Sequence, residues 1–174
     1  PEKQICVIDS RAAAGTMVLL IRRAQALMEA AGDDGDFDAL CQQLHRYQAT
    51  LRTCFTLENF DNLIKNGRMR PIVGTLLRSL GIHIIADATA EGTIHVADKA
   101  RGVGKTYRAI TALMKASKDC TDAEVVISHC ENLEGAMALK RQILADLPVK
   151  QVDLLSCRGL TSFYAMEKGL IVGD

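Results

Sequence analysis

The sequence predicts an α/β domain, two-layer or sandwich in build, with a mixed six-stranded sheet flanked by helices. Three observations predict it. Beyond Arg101, apolar runs of strand length alternate with segments of helical periodicity. Before Arg101, two strand-like runs meet at a short Gly-containing turn, so at least one strand pair is antiparallel. Finally, 48% of the 174 residues are hydrophobic, enough to bury a substantial core in one domain.

Taken in order, Ile5 to Ile8 is a short apolar run ending at Asp9-Ser10 and reads as a buried strand. Gly15 to Ala31 reads as a helix with Met17, Leu20, Ile21, Ala24, Leu27, Met28 and Ala31 on one face, broken by the Gly/Asp cluster from Gly32 to Asp36. Phe37, Leu40, Cys41, Leu44 and Leu51 mark a second amphipathic helix, and Arg52 to Leu57 the first strand of the main sheet. Thr56 is a residue type that caps a short helix with Glu58 in its first turn, and Asn66-Gly67 tolerates the backbone needed to stop it. Pro71 suits the start of a further helix, whose Ile72, Val73, Leu76, Leu77 and Leu80 recur at helical spacing as far as Gly81.

The hairpin follows, with strands Ile82 to Thr89 and Thr93 to Arg101 around a turn at Ala90 to Gly92. Thr106 to Ser117 then reads as a helix with Tyr107, Ile110, Leu113 and Met114 inward, and Glu124 to His129 as a strand. Asn132 caps a helix running from Leu133 to Leu147 ahead of Pro148. Val152 to Cys157 and Leu170 to Val172 complete the six strands.

Composition excludes some roles. Lys+Arg and Asp+Glu stand at 21 each, so no global field draws the chain to nucleic acid or an anionic membrane. The six cysteines form no CxxC pair and sit mostly in apolar segments, which suits reduced core thiols in a cytoplasmic protein. Arg22, Arg23 and Gln25 interrupt the first apolar helix, so no membrane insertion is expected. His45 lacks a second ligand four residues on, and no metal site is expected.

Four constellations carry candidate chemistry. Arg101-Gly-Val-Gly-Lys105-Thr106 invites a phosphate-loop reading, but the position that needs the first glycine is Lys99, and an antiparallel hairpin strand is the wrong lead-in. A helix N-terminus with Lys99, Arg101 and Lys105 still suits an anion or an acidic partner. Lys65, Arg68 and Arg70 cluster at the Asn-Gly corner, either as a solvated helix end or as a site. His129-Cys130 pairs a base with a nucleophile, yet neighbours on a strand face opposite ways, which favours packing. Arg158 to Tyr164 holds Thr161 and Ser162, hydroxyls able to donate to a carboxylate or to cap a helix, beside Phe163 and Tyr164, which can cover an alkyl chain.

The run FDNLIKNGRMRPIVGTLLRSLGIHIIADATAEGTIHVADKARG resembles the DegV family, as do the opening ICVIDSRAAAGTMVLL and the ending CRGLTSFYAMEKGLIVGD, so the resemblance spans essentially the whole chain. It implies a fatty-acid-binding carrier without catalysis or cofactor, whose ligand is a long-chain fatty acid enclosed between two α/β domains. It also implies a partner, a fatty acid kinase that receives the ligand's carboxyl group.

On this resemblance residues 1–51 are the end of the first domain plus linking helices, the Ile5 to Ile8 strand belonging to that first domain and standing as an orphan here, and 52–174 are the carboxy-terminal α/β domain. The hydroxyl-bearing part of the site lies in a missing N-terminal domain. Arg68 is then expected near the lipid head group or kinase surface, with Lys65, Arg70, Lys99, Arg101 and Lys105 facing an anion or partner. Ile72, Val73, Leu76, Leu77, Thr161, Ser162 and Phe163 are expected at the lipid. The family's loop histidine has no counterpart in Thr161-Ser162-Phe163-Tyr164. The alternatives are an interaction or regulatory domain that keeps the fold without lipid, and an anion- or nucleotide-binding enzyme using the 101–106 loop.

Overall fold

The computed structural model describes residues 3–32, 35–70 and 81–174. The helix expected to begin at Pro71, with Ile72, Val73, Leu76 and Leu77, lies outside the described residues. In chain order the elements are α1 (Gly15–Ala31), α2 (Phe37–Thr50), β1 (Thr53–Leu57), α3 (Asp61–Lys65), β2 (Ile82–Ala88) and β3 (Ile94–Arg101). They continue with α4 (Val103–Ser117), β4 (Glu124–His129), α5 (Leu133–Asp146), β5 (Gln151–Ser156), α6 (Gly159–Ala165) and β6 (Leu170–Gly173).

The six strands form one mixed sheet in the order β3-β2-β1-β6-β4-β5. Only β4 and β5 run parallel, joined through α5, and the other neighbours are antiparallel. The hairpin is closed by Thr89 N–H donating to the Thr93 carbonyl at 2.8 Å, with Gly92 in the left-handed region. A register shift beside Ile85 and Ala86 leaves Ala97 as the extra residue on β3.

Strand alternation assigns the two faces. Ile85, Val125, Ile127, Val152 and Val172 lie against Ile110 and Met114 of α4 and Ala136, Leu139 and Ile143 of α5. On the other face Phe55, Leu57, Ala86 and Ile171 meet Leu63 of α3 and Ala165 of α6. That face is shared with α1, where Gly15 rests on Val126 and leaves no room for a side chain. Thr16 Oγ1 shares a hydrogen bond with Thr53 Oγ1 at 2.7 Å, tying α1 to β1. Helix α2 lies outside α1, with the Arg23 guanidinium 5.8 Å from the Tyr47 ring centre. Helices on both sides of the sheet make this the sandwich form of the expected fold.

Three expectations are corrected. Ile5 to Ile8 is not a buried strand: residues 3–14 join no sheet, and Ile5 and Val7 are each 83% exposed. A short apolar run becomes a strand only where a neighbouring backbone offers hydrogen bonds, and the described sheet offers it none. Thr56 caps nothing, because it is buried inside β1; α3 starts later, at Asp61, whose N–H is accepted by Asn59 Oδ1 at 2.7 Å. In α1 the buried residues are Gly15, Thr16, Leu19 and Leu20, while Met17, Ile21 and Met28 face outward. The helix turns the small residues of its first turn to the sheet, since close approach there needs no Cβ at residue 15.

Candidate functional site

Beneath α3 and α6, on the face that carries α1, the sheet leaves a cavity of about 500 Å³, within the range of small-molecule sites. Its floor is Phe55 and Leu57 of β1, Ala88 of β2, Ile94 of β3 and Ile171 of β6. Leu63 of α3 and Leu160, Tyr164 and Ala165 of α6 form its sides. Polar groups enter at the ends: Arg68 and Thr161 toward the Leu57 end, and Arg11, Thr53 and Thr93 toward the other.

The corner that delivers Arg68 is built by backbone geometry. Gly67 takes φ +68°, its N–H donates to the Ile64 carbonyl at 3.0 Å, and Arg68 N–H donates to the Leu63 carbonyl at 2.8 Å. This pair of bonds is the Schellman arrangement, and it turns the chain so that Arg68 follows directly at the cavity rim. Among the described residues the Arg68 side chain has no hydrogen-bond or ion-pair partner, which leaves its guanidinium available. Arg11 differs: its Nη1 donates to the Ala90 carbonyl at 2.9 Å, and its Nε lies 3.5 Å from Asp9 Oδ2.

Helix α6 decides which of its residues reach the cavity. Leu160, Thr161, Tyr164 and Ala165 recur at one-turn spacing on the inner side. Ser162 and Phe163 fall between them: Ser162 Oγ donates to the Gly159 carbonyl at 2.8 Å, and Phe163 is 47% exposed, edge-on to Tyr164. Of the two aromatic residues expected to cover the groove, Tyr164 lines it and Phe163 does not. Lys65 and Arg70 are exposed and flank Arg68 at the corner. Lys99, Arg101 and Lys105 are exposed at the end of β3 and the first turn of α4, away from the cavity lining. β3 is an edge strand antiparallel to β2, so the 101–106 loop lacks the parallel-strand lead-in of a phosphate loop.

His129 and Cys130 do point apart. His129 is buried, its Nδ1 accepting from Asn132 N–H at 3.4 Å, whereas Cys130 packs under α6 with Sγ 3.9 Å from the Ser162 carbonyl. Burial raises the Cys130 thiol pKa, and it raises that of neighbouring Cys157 to about 11, so both stay protonated and weakly nucleophilic near neutral pH. All six cysteines are free thiols. Among the described residues no group of His, Cys, Asp and Glu is placed to hold a metal ion, and no helix is long and apolar enough to cross a membrane.

Sequence reasoning missed most of the lining. Phe55, Leu57, Ile94 and Ile171 looked like ordinary strand residues, although alternation along β1 already set Phe55 and Leu57 on one face. Arg11 carried no sequence signal, because it enters the cavity from an irregular segment that crosses the hairpin turn.

The family model described as an uncharacterised protein of the DegV family matches residues 1–168. The chain belongs to the DegV family. A DegV domain-containing protein of Streptococcus gordonii is 32% identical over 174 residues, a match covering 99% of this chain and 60% of that protein. The crystal structure of a DegV family protein from Ruminococcus gnavus, refined with vaccenic acid, superposes with a TM-score of 0.89 at 30% identity, covering 99% of this chain and 61% of that one. The Streptococcus pneumoniae Fatty Acid Kinase (Fak) B3 protein, loaded with linoleic acid, gives a TM-score of 0.88 at 32% identity over 98% of this chain and 59% of that one. This DegV chain thus spans about three fifths of the length of the relatives it matches.

Proposed function

We propose that this DegV chain holds a long-chain fatty acid noncovalently, with the alkyl chain on the floor formed by Phe55, Leu57, Ile94 and Ile171. The carboxylate lies toward Arg68 and Thr161, where it is offered to a fatty acid kinase. The observation that carries the reading is the cavity itself: an apolar trough with, at one end, a guanidinium unpaired among the described residues matches an amphiphile with one anionic head. Removing an alkyl chain from water contributes about 0.8 kcal/mol per buried methylene, so a dry trough is sufficient reason for binding.

In this reading the protein is a carrier and the kinase performs the chemistry. Lys65 and Arg70 belong with Arg68 to the edge the kinase meets, and Lys99, Arg101 and Lys105 form a second partner-facing patch. In this reading residues 52–174 form one of two α/β domains that close over the ligand, and residues 1–51 are the end of the other with the linking helices. The carrier works in the cytoplasm, where its free thiols stay reduced.

Native mass spectrometry of the chain before and after addition of vaccenic acid tests the proposal. A one-to-one adduct is expected, and Ile94→Trp, which fills the trough from a half-buried position, is expected to weaken it at least about tenfold while leaving the melting temperature within a few degrees. An adduct equally strong in Ile94→Trp would place the lipid elsewhere. No adduct with this chain would leave an interaction domain that keeps the fold without lipid.

A further inference from the structure

The two ends of the trough are both marked by arginine, but the two side chains are not equivalent. Cys54 pairs with Asp87 and Leu57 with Ile84, so Thr53 stands at the Ala88 end of β2 and the floor of the trough runs along β1 toward Leu57. At the Leu57 end the Arg68 guanidinium has no partner among the described residues. At the Thr53 end Arg11 is committed: Nη1 to the Ala90 carbonyl, Nε beside Asp9, and its backbone N–H to Asp9 Oδ1 at 3.1 Å.

Taking a carboxylate at Arg11 would mean giving up contacts already made; Arg68 gives up none among the described residues. The head group therefore belongs at Arg68, and the methyl end of the chain runs toward Arg11. There Arg11 lines the cavity while its guanidinium is held at the hairpin turn, the division between apolar stem and charged tip that long cationic side chains make over apolar surface. A side chain at Gly92 would stand 3.2 Å from Arg11 Cβ, so the turn is shaped to let the stem lie close. Arg11 also holds φ at +49°, a left-handed conformation that is strained for a residue with a side chain. The segment keeps this strained residue at the edge of the cavity.

We propose that Arg11 is the length stop of the acyl trough, setting the longest alkyl chain the site takes without distortion. This inference rests on the fatty-acid reading above. Shorter chains end beneath the Arg11 stem; longer ones must displace it from Ala90 and Asp9.

The test measures binding of dodecanoic, tetradecanoic, hexadecanoic, octadecanoic and eicosanoic acids by native mass spectrometry to the unaltered chain, Arg11→Gly and Arg11→Asn. Glycine and asparagine both accept the left-handed backbone at residue 11, so each variant retains the turn. In both, the preferred acid is expected to move at least one step longer, each two-carbon step that becomes accommodated gaining roughly tenfold in affinity. An unchanged length profile overturns the length stop while leaving the carrier reading intact. A uniform loss across all five acids also overturns it, assigning Arg11 to the head group instead. If the unaltered chain binds none of the acids, both the inference and the carrier reading fail for this chain.

Discussion

Arg68 shows how little a residue's type says before its surroundings are known. Several arginines of this chain are exposed, yet Arg22 is occupied by Asp153 at 2.6 Å and Arg11 by Ala90 and Asp9. Arg68 has no such partner among the described residues and stands on the cavity rim. Arg68→Ala is expected to leave the fold intact, since the exposed side chain supports no other group. It should slow transfer of the bound acid to the kinase by about tenfold or more, from the loss of one charge-assisted contact. Acyl-phosphate formation by a fatty acid kinase supplied with loaded carrier is the measurement, and an unchanged rate would remove Arg68 from the head-group end. The cysteines mark the opposite case: Cys130 and Cys157 have a reactive residue type, but burial keeps their thiols protonated.

At the scale of the element, the corner after α3 converts a backbone requirement into a position on the cavity rim. Gly67 has open space where a Cβ would stand, so Gly67→Ala meets no clash; its cost is purely the left-handed φ of +68°. We expect a stability loss of about 1–2 kcal/mol, measured by urea denaturation, together with weaker fatty-acid binding as Arg68 loses its fixed approach. Loss of stability with fully retained affinity would show that the corner serves folding alone. The asparagine and glycine here were legible in the sequence as a stop, since few residue types accept that backbone. The start of α3 was not legible, because Thr56 is a good cap by type but is committed to β1 by its neighbours Ile85 and Leu170 on either side. Helix α6 shows the same limit. Its residues were expected beside a ligand, but only a helical turn decides that Thr161 and Tyr164 line the cavity while Ser162 and Phe163 do not.

For the whole molecule, the seam between α1 and the sheet joins the first part of the chain to the rest. A Cβ at Gly173 would run into the backbone nitrogen of Thr16, and one at Gly15 into the Val126 carbonyl, so the seam depends on two glycines far apart in sequence. Gly173→Ala is expected to destabilise the protein by about 1–3 kcal/mol through overpacking, lowering its thermal midpoint by several degrees. Differential scanning calorimetry would read this as one transition shifted down. A separate early transition for α1 and α2 would instead show that residues 1–51 unfold independently. Because the cavity shares this face of the sheet, Gly173→Ala should also weaken lipid binding in proportion to the lost docking of α1.

Local pattern determined the elements. Alternation of apolar residues, the Asn-Gly stop, the Gly-containing hairpin turn and the Asn132 cap, whose Oδ1 accepts from Gly135 N–H at 3.1 Å, are each short-range signals encoded within a few residues. They were sufficient for six strands, a mixed sheet and a cationic corner. Only the tertiary structure decided that Ile5 to Ile8 pairs with no strand, that the cavity lies between β1 and α6, and that Arg11 reaches it. The physical reason is that a cavity consists of the spaces between elements. Its lining comes from Arg11, Phe55, Ile94 and Ile171, positions widely separated in the chain, and no window of sequence contains the strand order that brings them together.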